Sequence, residues 1–210
     1  AGFFRGIRHG GAHDPGKSLG WLNATPHANL FERDNFRQGV SLLGELGYTY
    51  DSWHYHFQNE AFADLAEAVP GTTIVLDHFG TPCGVGDYTG KAAEVFAQWR
   101  VDIHRLAKCP NVVVKIGGLA MPVNGFGWDG MDKPPSSDEV AAAHRDYYLE
   151  TIEAFGPERC MFESNFPVDK VAGSYSVLWN SFKRLTANYS DAEKAALYHD
   201  TAARVYRLDD

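Results

Sequence analysis

The stretch Ile74-Val75-Leu76-Asp77-His78-Phe79-Gly80-Thr81-Pro82 decides the fold of this chain. Its three apolar residues indicate a buried β-strand, which stops at an ionisable Asp-His pair followed by glycine and proline. In α/β proteins with parallel strands, the loops at the carboxyl ends of the strands bind ligands and carry the chemistry. The stretch therefore predicts a strand that delivers His78 to a functional site.

Two later stretches repeat this design. Residues 112–118 read Val-Val-Val-Lys-Ile-Gly-Gly, and residues 160–167 read Cys-Met-Phe-Glu-Ser-Asn-Phe-Pro. Each is an apolar strand that meets polar residues and then a residue that breaks regular pairing. Because side chains alternate along a strand, Glu163 and Asn165 share one face of the last stretch. The three strands are therefore expected to point polar side chains into one hollow.

Lys115 and His78 stand out among the residues of these strands. Lys115 interrupts an apolar run that is otherwise fit for burial. An unpaired buried ammonium is costly, so Lys115 must face a polar cavity or a carboxylate. A histidine at a strand end can ligate a metal or act as an acid or base near neutral pH, but it can equally cap the strand and bind a neighbouring loop.

The loops offer further candidates. Arg8-His9 follows the first strand and could clamp a carboxylate through the guanidinium fork, or form a structural salt bridge. His54 and His56 have a spacing that suits a two-histidine metal site, although we favour contact of His54 with a substrate. Asp169 either reaches the rim of the site or is a solvated loop carboxylate.

Bulk composition narrows the class of protein. With 210 residues, 44% of them hydrophobic, the chain is expected to form a single domain over residues 1–210. A net charge of −8 and the lack of clustered Lys and Arg argue against a nucleic-acid surface. The three cysteines have no CxxC spacing, which predicts reduced thiols. No run approaches the ~20 apolar residues of a membrane span and no signal peptide is apparent, so we expect a cytoplasmic protein with no membrane partner.

Strand and helix patterns alternate along the chain. The strands are predicted over 3–8, 48–53, 74–76, 112–117 and 160–165, and the helices over 34–46, 59–69, 91–109, 138–155, 173–187 and 191–206. This alternation predicts an α/β fold with a parallel sheet and right-handed crossovers. A closed eight-stranded barrel typically takes ~250 residues, so we expect a TIM-barrel (β/α)8-type fold that is incomplete at its N-terminus. Its open strand edges would invite homo-oligomers.

Two loops are predicted to carry bulky anchors. Residues 13–32 are rich in glycine, proline and asparagine, with Trp21 and Leu22 as anchors. Residues 120–137 combine glycines and prolines with Trp128 and Met131, which predicts a structured lid over a site.

Four segments together resemble the strand-end motifs of a known family. The segments at 6–9, 76–82, 111–119 and 159–168 are similar, in order, to those of the amidohydrolase-2 family, predicted metal-dependent hydrolases with a TIM-barrel fold. The nearest branch contains lactonases of sugar and aromatic-ring catabolism, and the resemblance runs to residues 202–206. It implies that His78 ligates a metal or contacts substrate, and that Lys115 polarises the substrate. The metal would be a divalent ion, zinc or manganese, or none.

The chain departs from the family pattern at two places. The family usually opens with His-x-His on its first barrel strand, and nothing before Phe3 supplies that motif. The family's final motif usually reads Ser-Asp-Trp-Pro, whereas this chain has Asn165, which cannot take a proton. Either Glu163 or Asp169 substitutes for the aspartate, or the metal is absent, or activity is lost.

The leading hypothesis is a hydrolase that opens a lactone or related cyclic ester of a small carboxylated molecule. Asp169 or Glu163 would activate water, Lys115 would stabilise the oxyanion, and Arg8 with His54 would hold the acid group. Two alternatives stay open: a decarboxylase of the same superfamily, and a non-catalytic fragment that binds a ligand or pairs with a partner chain.

Overall fold

The computed structural model of the chain describes residues 3–20 and 23–208. Five parallel strands form one sheet in the order β1-β2-β3-β4-β5. The strands are β1 Gly6–Arg8, β2 Thr49–Ser52, β3 Ile74–Leu76, β4 Val112–Ile116 and β5 Cys160–Phe162. The prediction of an α/β fold with a parallel sheet is confirmed. Trp21 and Leu22, predicted as loop anchors, lie outside the described residues.

Helices connect successive strands and follow the last one. They are α1 Asp34–Glu45, α2 Asn59–Ala68, α3 Ala92–Ala107, α4 Ser137–Phe155, α5 Tyr175–Leu185, α6 Asp191–Ala195 and α7 Thr201–Tyr206. The last predicted helix is not uniform, because a π-helical turn at Ala196–Asp200 separates α6 from α7. None of the helices within 3–20 and 23–208 combines the length and apolar character needed to cross a bilayer.

The two faces of the sheet are buried by different partners. On one face, residues such as Ile74, Val114 and Phe162 join the main core with the helices. On the other face, Val75, Val113 and Met161 pack with Ala202, Val205 and Tyr206 of α7. The period of two along each strand separates these sets. It also places Asp77, Lys115 and Glu163 on the side that α7 covers.

The sheet is open. In the part of the chain that the structure describes, β1 pairs with β2 alone. Apolar side chains in and next to β1 are exposed to solvent. Phe4 is 53% exposed and Ile7 is 43% exposed. The five strands therefore have the sequential parallel order of a barrel wall, without closure among the described residues.

Candidate active site

The turn after β3 aims His78 into the site. His78, Phe79, Gly80 and Thr81 have successive φ values of +56°, +60°, +65° and +45°. Residues other than glycine rarely adopt this left-handed region, so three of them within four consecutive residues mark a backbone held by its surroundings. Gly118 shows how closely those surroundings pack, since a Cβ there would lie 2.7 Å from His78 Nδ1.

Gly117 makes room for Glu163. A Cβ at Gly117 would lie 2.2 Å from the Glu163 carbonyl oxygen and 2.5 Å from its Cγ. A glycine at a strand end can leave space for a ligand, but here Glu163, the residue after β5, fills that space. Because Gly117 and Gly118 have no side chains, His78 after β3 and Glu163 after β5 can meet across the end of β4.

His78 and Glu163 form the central pair of the site. His78 Nδ1 donates to Glu163 Oε1, and Arg8 Nη2 lies 3.3 Å from His78 Nε2. Burial lowers the pKa of His78, but the carboxylates of Glu163 and Asp77 outweigh that effect, so the pKa lies above its ordinary value of 6.5. The imidazole is 5% exposed, whereas the Arg8 side chain is 56% exposed. A buried ring nitrogen of His78 thus faces the exposed guanidinium of Arg8.

Asp77 joins this pair to Lys115. Its Oδ2 accepts from Arg8 Nε at 2.6 Å, and its Oδ1 lies 3.4 Å from Lys115 Nζ. Burial raises the pKa of Asp77, but the charges of Lys115, His78 and Arg8 together hold it below its ordinary value. His78 and Lys115 therefore belong to one continuous network.

Lys115 lies deeper than the mouth of the site. Its Nζ donates to Asp51 Oδ2 at 2.7 Å, and the Tyr206 ring lies 5.3 Å from the same nitrogen. Tyr206 OH also donates to Asp51 Oδ2, at 2.5 Å. Burial lowers the pKa of Lys115, but Asp77 and Asp51 outweigh it and raise the pKa above its ordinary value. Lys115 is thus protonated and held in place by Asp51 and Asp77.

Asn165 and Asp169 form a second polar pair near the first. Asn165 Nδ2 donates to Asp169 Oδ1 at 2.6 Å, and the Ala120 amide donates to Oδ2 at 3.3 Å. Asp169 is 2% exposed, and burial raises its pKa to about 6 although Asn165 and the charge of His78 lower it. It is a buried acid beside the loop after β4, not a solvated carboxylate.

A small apolar cavity adjoins Asp169. Its volume is ≈ 10 Å³, room for about one water. Side chains from the β4–α4 loop, from α4 and from the segment after β5 line it, among them Trp128, Val140 and Phe166. The cavity gives the buried acid a sheltered position next to the site.

Three predicted residues lie away from this network. His54 is fully buried, with its ring nitrogens bonded to Ser52 Oγ at 3.1 Å and Asn59 Oδ1 at 3.0 Å. His56 is buried as well, and its Nδ1 accepts from the Cys83 amide at 3.2 Å. The exposed ring of His9 lies against Phe36, with centroids 6.0 Å apart. The structure therefore brings none of the three to His78.

Sequence reasoning missed Asp51 and Tyr206. Asp51 of β2 is paired with Arg8 of β1. The alternation of side chains along β2 could have indicated that Asp51 faces the site. Tyr206 gave no signal, because an aromatic residue near the end of an amphipathic helix ordinarily indicates core packing. Only the passage of α7 over the sheet brings it to Lys115.

The donor set does not fit a divalent metal. Within residues 3–20 and 23–208, no three His, Cys, Asp or Glu side chains are arranged to hold an ion. Both His78 nitrogens face partners, and the Asp77 oxygens face Arg8 and Lys115, whose positive charges would repel a cation. Metal ligation by His78 stays a prediction.

Comparison with known proteins supplies the family. A family model described as Amidohydrolase matches residues 1–208. The chain is 36% identical over 205 residues to the protein y4mH of Sinorhizobium fredii, covering 98% of this chain and 61% of that protein. It is 31% identical over 176 residues to an L-fucono-1,5-lactonase of Burkholderia multivorans, covering 83% of this chain and 56% of that protein.

Comparison with a solved structure supports the same family. An amidohydrolase from Burkholderia multivorans with bound zinc superposes with a TM-score of 0.77 at 27% identity, over 97% of this chain and 64% of that one. The chain thus spans between 56% and 64% of the length of these three relatives. The comparison confirms the barrel-type fold and the family resemblance. With a family model along almost its whole length, this chain belongs to the amidohydrolase family.

Proposed function

We propose that the site hydrolyses a lactone or related cyclic ester of a small molecule. The observation that carries this proposal is the His78–Glu163 pair with the exposed Arg8 side chain beside the other ring nitrogen, Nε2. The 31% identity to an L-fucono-1,5-lactonase supports the same reaction class. Opening a cyclic ester needs an activated water and a stabilised oxyanion, and these three side chains have the chemistry for both.

His78 is the group that handles the water proton. With Nδ1–H donated to Glu163, Nε2 carries the lone pair of the ring. Once Arg8 Nη2 turns from Nε2 toward the bound carbonyl, that lone pair accepts a proton from a water that attacks the carbonyl carbon. The tetrahedral intermediate collapses by breaking the ring C–O bond. The leaving alkoxide takes the proton back from Nε2, so the products are a hydroxyl group and a carboxylic acid that ionises.

Arg8 stabilises the developing negative charge. Its Nη2 lies 3.3 Å from the nitrogen that takes the proton, and the side chain is exposed enough to turn toward a bound carbonyl. The same guanidinium would then hold the product carboxylate. Lys115, predicted as the oxyanion donor, instead fixes Asp77, which in turn positions Arg8 through its Nε.

Acid release from L-fucono-1,5-lactone and other sugar lactones, followed with a pH indicator against the buffer rate, tests the proposal. His78→Asn should lower kcat/KM by about 10²- to 10⁴-fold, the usual worth of a general base. His104→Gln is the matched control, because His104 lies on α3 and bonds Glu150 instead. Undiminished hydrolysis by His78→Asn would refute the proposal, as would a wild-type rate no faster than buffer.

The pH dependence has a defined sign. Nε2 accepts a proton only when His78 is neutral, and the neighbouring carboxylates raise the pKa of His78 above 6.5. We therefore expect kcat/KM to rise with pH through a pKa above 6.5. Glu163→Gln should shift this rise to lower pH, since it removes the charge that most strongly raises the pKa. A profile unmoved by Glu163→Gln would contradict the pairing.

A further inference from the structure

Residues 126–134, which we call the flap, are weakly tied to the rest of the chain. Just before the flap, the Val123 carbonyl accepts from the Gly84 amide at 2.9 Å, and Asn124 Nδ2 donates to the Pro82 carbonyl at 2.8 Å. Within the flap, the backbone bonds close on themselves, Gly130 to Gly127 and Met131 to Trp128, each at 3.3 Å. The flap is therefore held mainly by its side chains.

Two aromatic side chains attach the flap, and both rest on His144 of α4. The ring centroids of Phe126 and Trp128 lie 4.5 Å and 4.8 Å from that of His144. His144 is 1% exposed, and neither of its ring nitrogens has a hydrogen-bond partner. A buried imidazole with two unsatisfied nitrogens is unusual, since buried polar groups are ordinarily bonded.

The flap also closes the cavity beside Asp169. Trp128 lines that cavity together with Asp169 and Val140, and Val140 lies one helical turn before His144 on α4. Lifting Trp128 off His144 would remove one wall of the cavity. The state of His144 and access to Asp169 are thus coupled through one tryptophan.

We propose that the flap gates access to Asp169 and that His144 is its latch, so that acidification below neutral pH opens the flap. A neutral imidazole fits between the two aromatic rings. An imidazolium there would be desolvated and unpaired, which is costly. Protonation therefore favours the state in which the flap has moved away and water reaches the ring.

The size of the pH effect on flap opening follows from the difference in the pKa of His144 between the closed and open states. In the closed flap, burial lowers the pKa of His144 to about 3, whereas an imidazole in water titrates near 6.5. The neutral form is favoured in the closed state, so closure is fully stable above pH 6.5 and weakens as the pH falls below it. From pH 7 to pH 5 the opening constant should rise ~25-fold.

No neighbouring charge offsets this effect. Burial is the cause of the lowered pKa of His144, and the titratable group stacked on it, Tyr148, stays neutral because burial raises its pKa. The charged contacts of α4 with its neighbours lie elsewhere. They join Arg100 and His104 of α3 to Glu150, and Arg184 of α5 to Asp138.

Thiol labelling measures the opening directly. In Val140→Cys, a maleimide can reach the introduced thiol only when the flap opens, because Val140 is 4% exposed. Ala142→Cys, on the exposed side of the same helix, gives the unhindered rate at each pH. The ratio of the two rates should rise ~25-fold from pH 7 to pH 5. Adding His144→Phe, or His144→Leu if that variant does not fold, should make the ratio independent of pH.

Cys160 separates flap opening from unfolding. It is fully buried on β5, and its labelling in the same sample reports opening of the sheet. Labelling of Cys160 much slower than at position 140 supports a local flap. Equal rates at both positions, a ratio independent of pH with His144 present, or an unchanged pH response without it would each overturn the proposal. None of these readouts depends on lactone hydrolysis.

Discussion

At the scale of single residues, Lys115 shows what burial demands of a charge. The sequence placed an ammonium within an apolar strand, which required a polar cavity or a carboxylate opposite it. The structure supplies two carboxylates, Asp77 just after the adjacent strand β3 and Asp51 on β2, which lies one strand further along the sheet. Which acids these are depends on strand register, and the sequence of β4 carries no information about that.

Replacing Lys115 by Met should destabilise the fold. Asp51 would lose its counter-ion and Asp77 would keep only Arg8, and breaking a buried pair in this way typically costs ~3–5 kcal/mol. Urea unfolding of Lys115→Met should show a decrease of this order, with exposed Lys108→Met as the matched control. Adding Asp51→Asn should recover part of the loss. A Lys115→Met variant as stable as the control would show that the carboxylates are not held by this lysine.

Asp169 should make stability depend on pH. Burial raises its pKa to about 6 from the ordinary 3.8, so its contribution to stability is full below pH 3.8 and is lost as the pH rises through 6. Relative to Asp169→Asn, the wild type should lose up to ~3 kcal/mol of unfolding free energy between pH 4 and pH 7. Urea titrations at both pH values measure this. A difference that stays constant with pH would mean that the carboxyl is not buried as described.

At the scale of elements, the sequence predicted some helix N-termini correctly and misplaced others. Ser190 directly precedes the predicted helix 191–206 and is a residue type that favours the N-cap; its side chain accepts from the Glu193 amide, in a capping box. Asp34 is also a residue type that favours the N-cap, but it is the first residue of α1, and the N-cap position is Arg33, which makes no side-chain cap bond. Competing polar residues at a helix start leave its first residue uncertain by one or two positions.

The start of α4 provides an element-scale prediction. Ser136 accepts from the Glu139 amide at 3.3 Å, and Glu139 accepts from the Ser136 amide at 2.7 Å. Ser136→Ala should lower the free energy of unfolding by ~1 kcal/mol. The adjacent Ser137→Ala, inside the helix, should change it by less than about 0.5 kcal/mol. Equal effects of the two variants in urea unfolding would exclude this capping box.

The turn after β3 marks the limit of prediction at this scale. The residues Asp-His-Phe-Gly predicted that the strand ends there, and it does. Nothing in them predicted left-handed φ values at both His78 and Phe79, since side chains of this size ordinarily avoid that region. The conformation depends on packing against Gly118 and Glu163, which lie on other strands.

At the scale of the whole molecule, alternating strand and helix patterns were enough to predict a parallel sheet of the TIM-barrel type. Successive parallel strands joined by helices pack side by side with one handedness, so sequence order became spatial order. The position of α7 was beyond such reasoning. Its residues have the pattern of an ordinary amphipathic helix, and that pattern does not say which face of the sheet it will cover.

The open edge of β1 is expected to drive self-association of this chain. Unpaired backbone groups on an edge strand, beside exposed Phe4 and Ile7, form a surface on which a second copy could add. Sedimentation should show concentration-dependent dimers, weakened by Ile7→Lys. Val101→Lys, which changes an equally apolar exposed residue on α3, is the control. A monomer at every concentration would contradict this expectation.

The cover that α7 lays on the sheet has a consequence for biosynthesis. Val75, Val113 and Met161 leave the ribosome before Val205, against which they pack. Asp51 is likewise translated 155 positions ahead of Tyr206, whose hydroxyl it binds. In a nascent chain this apolar face of the sheet therefore stays exposed to solvent until α7 has been synthesised. A premature stop codon shortly before α7 would release a sheet whose apolar face recruits chaperones or other nascent chains.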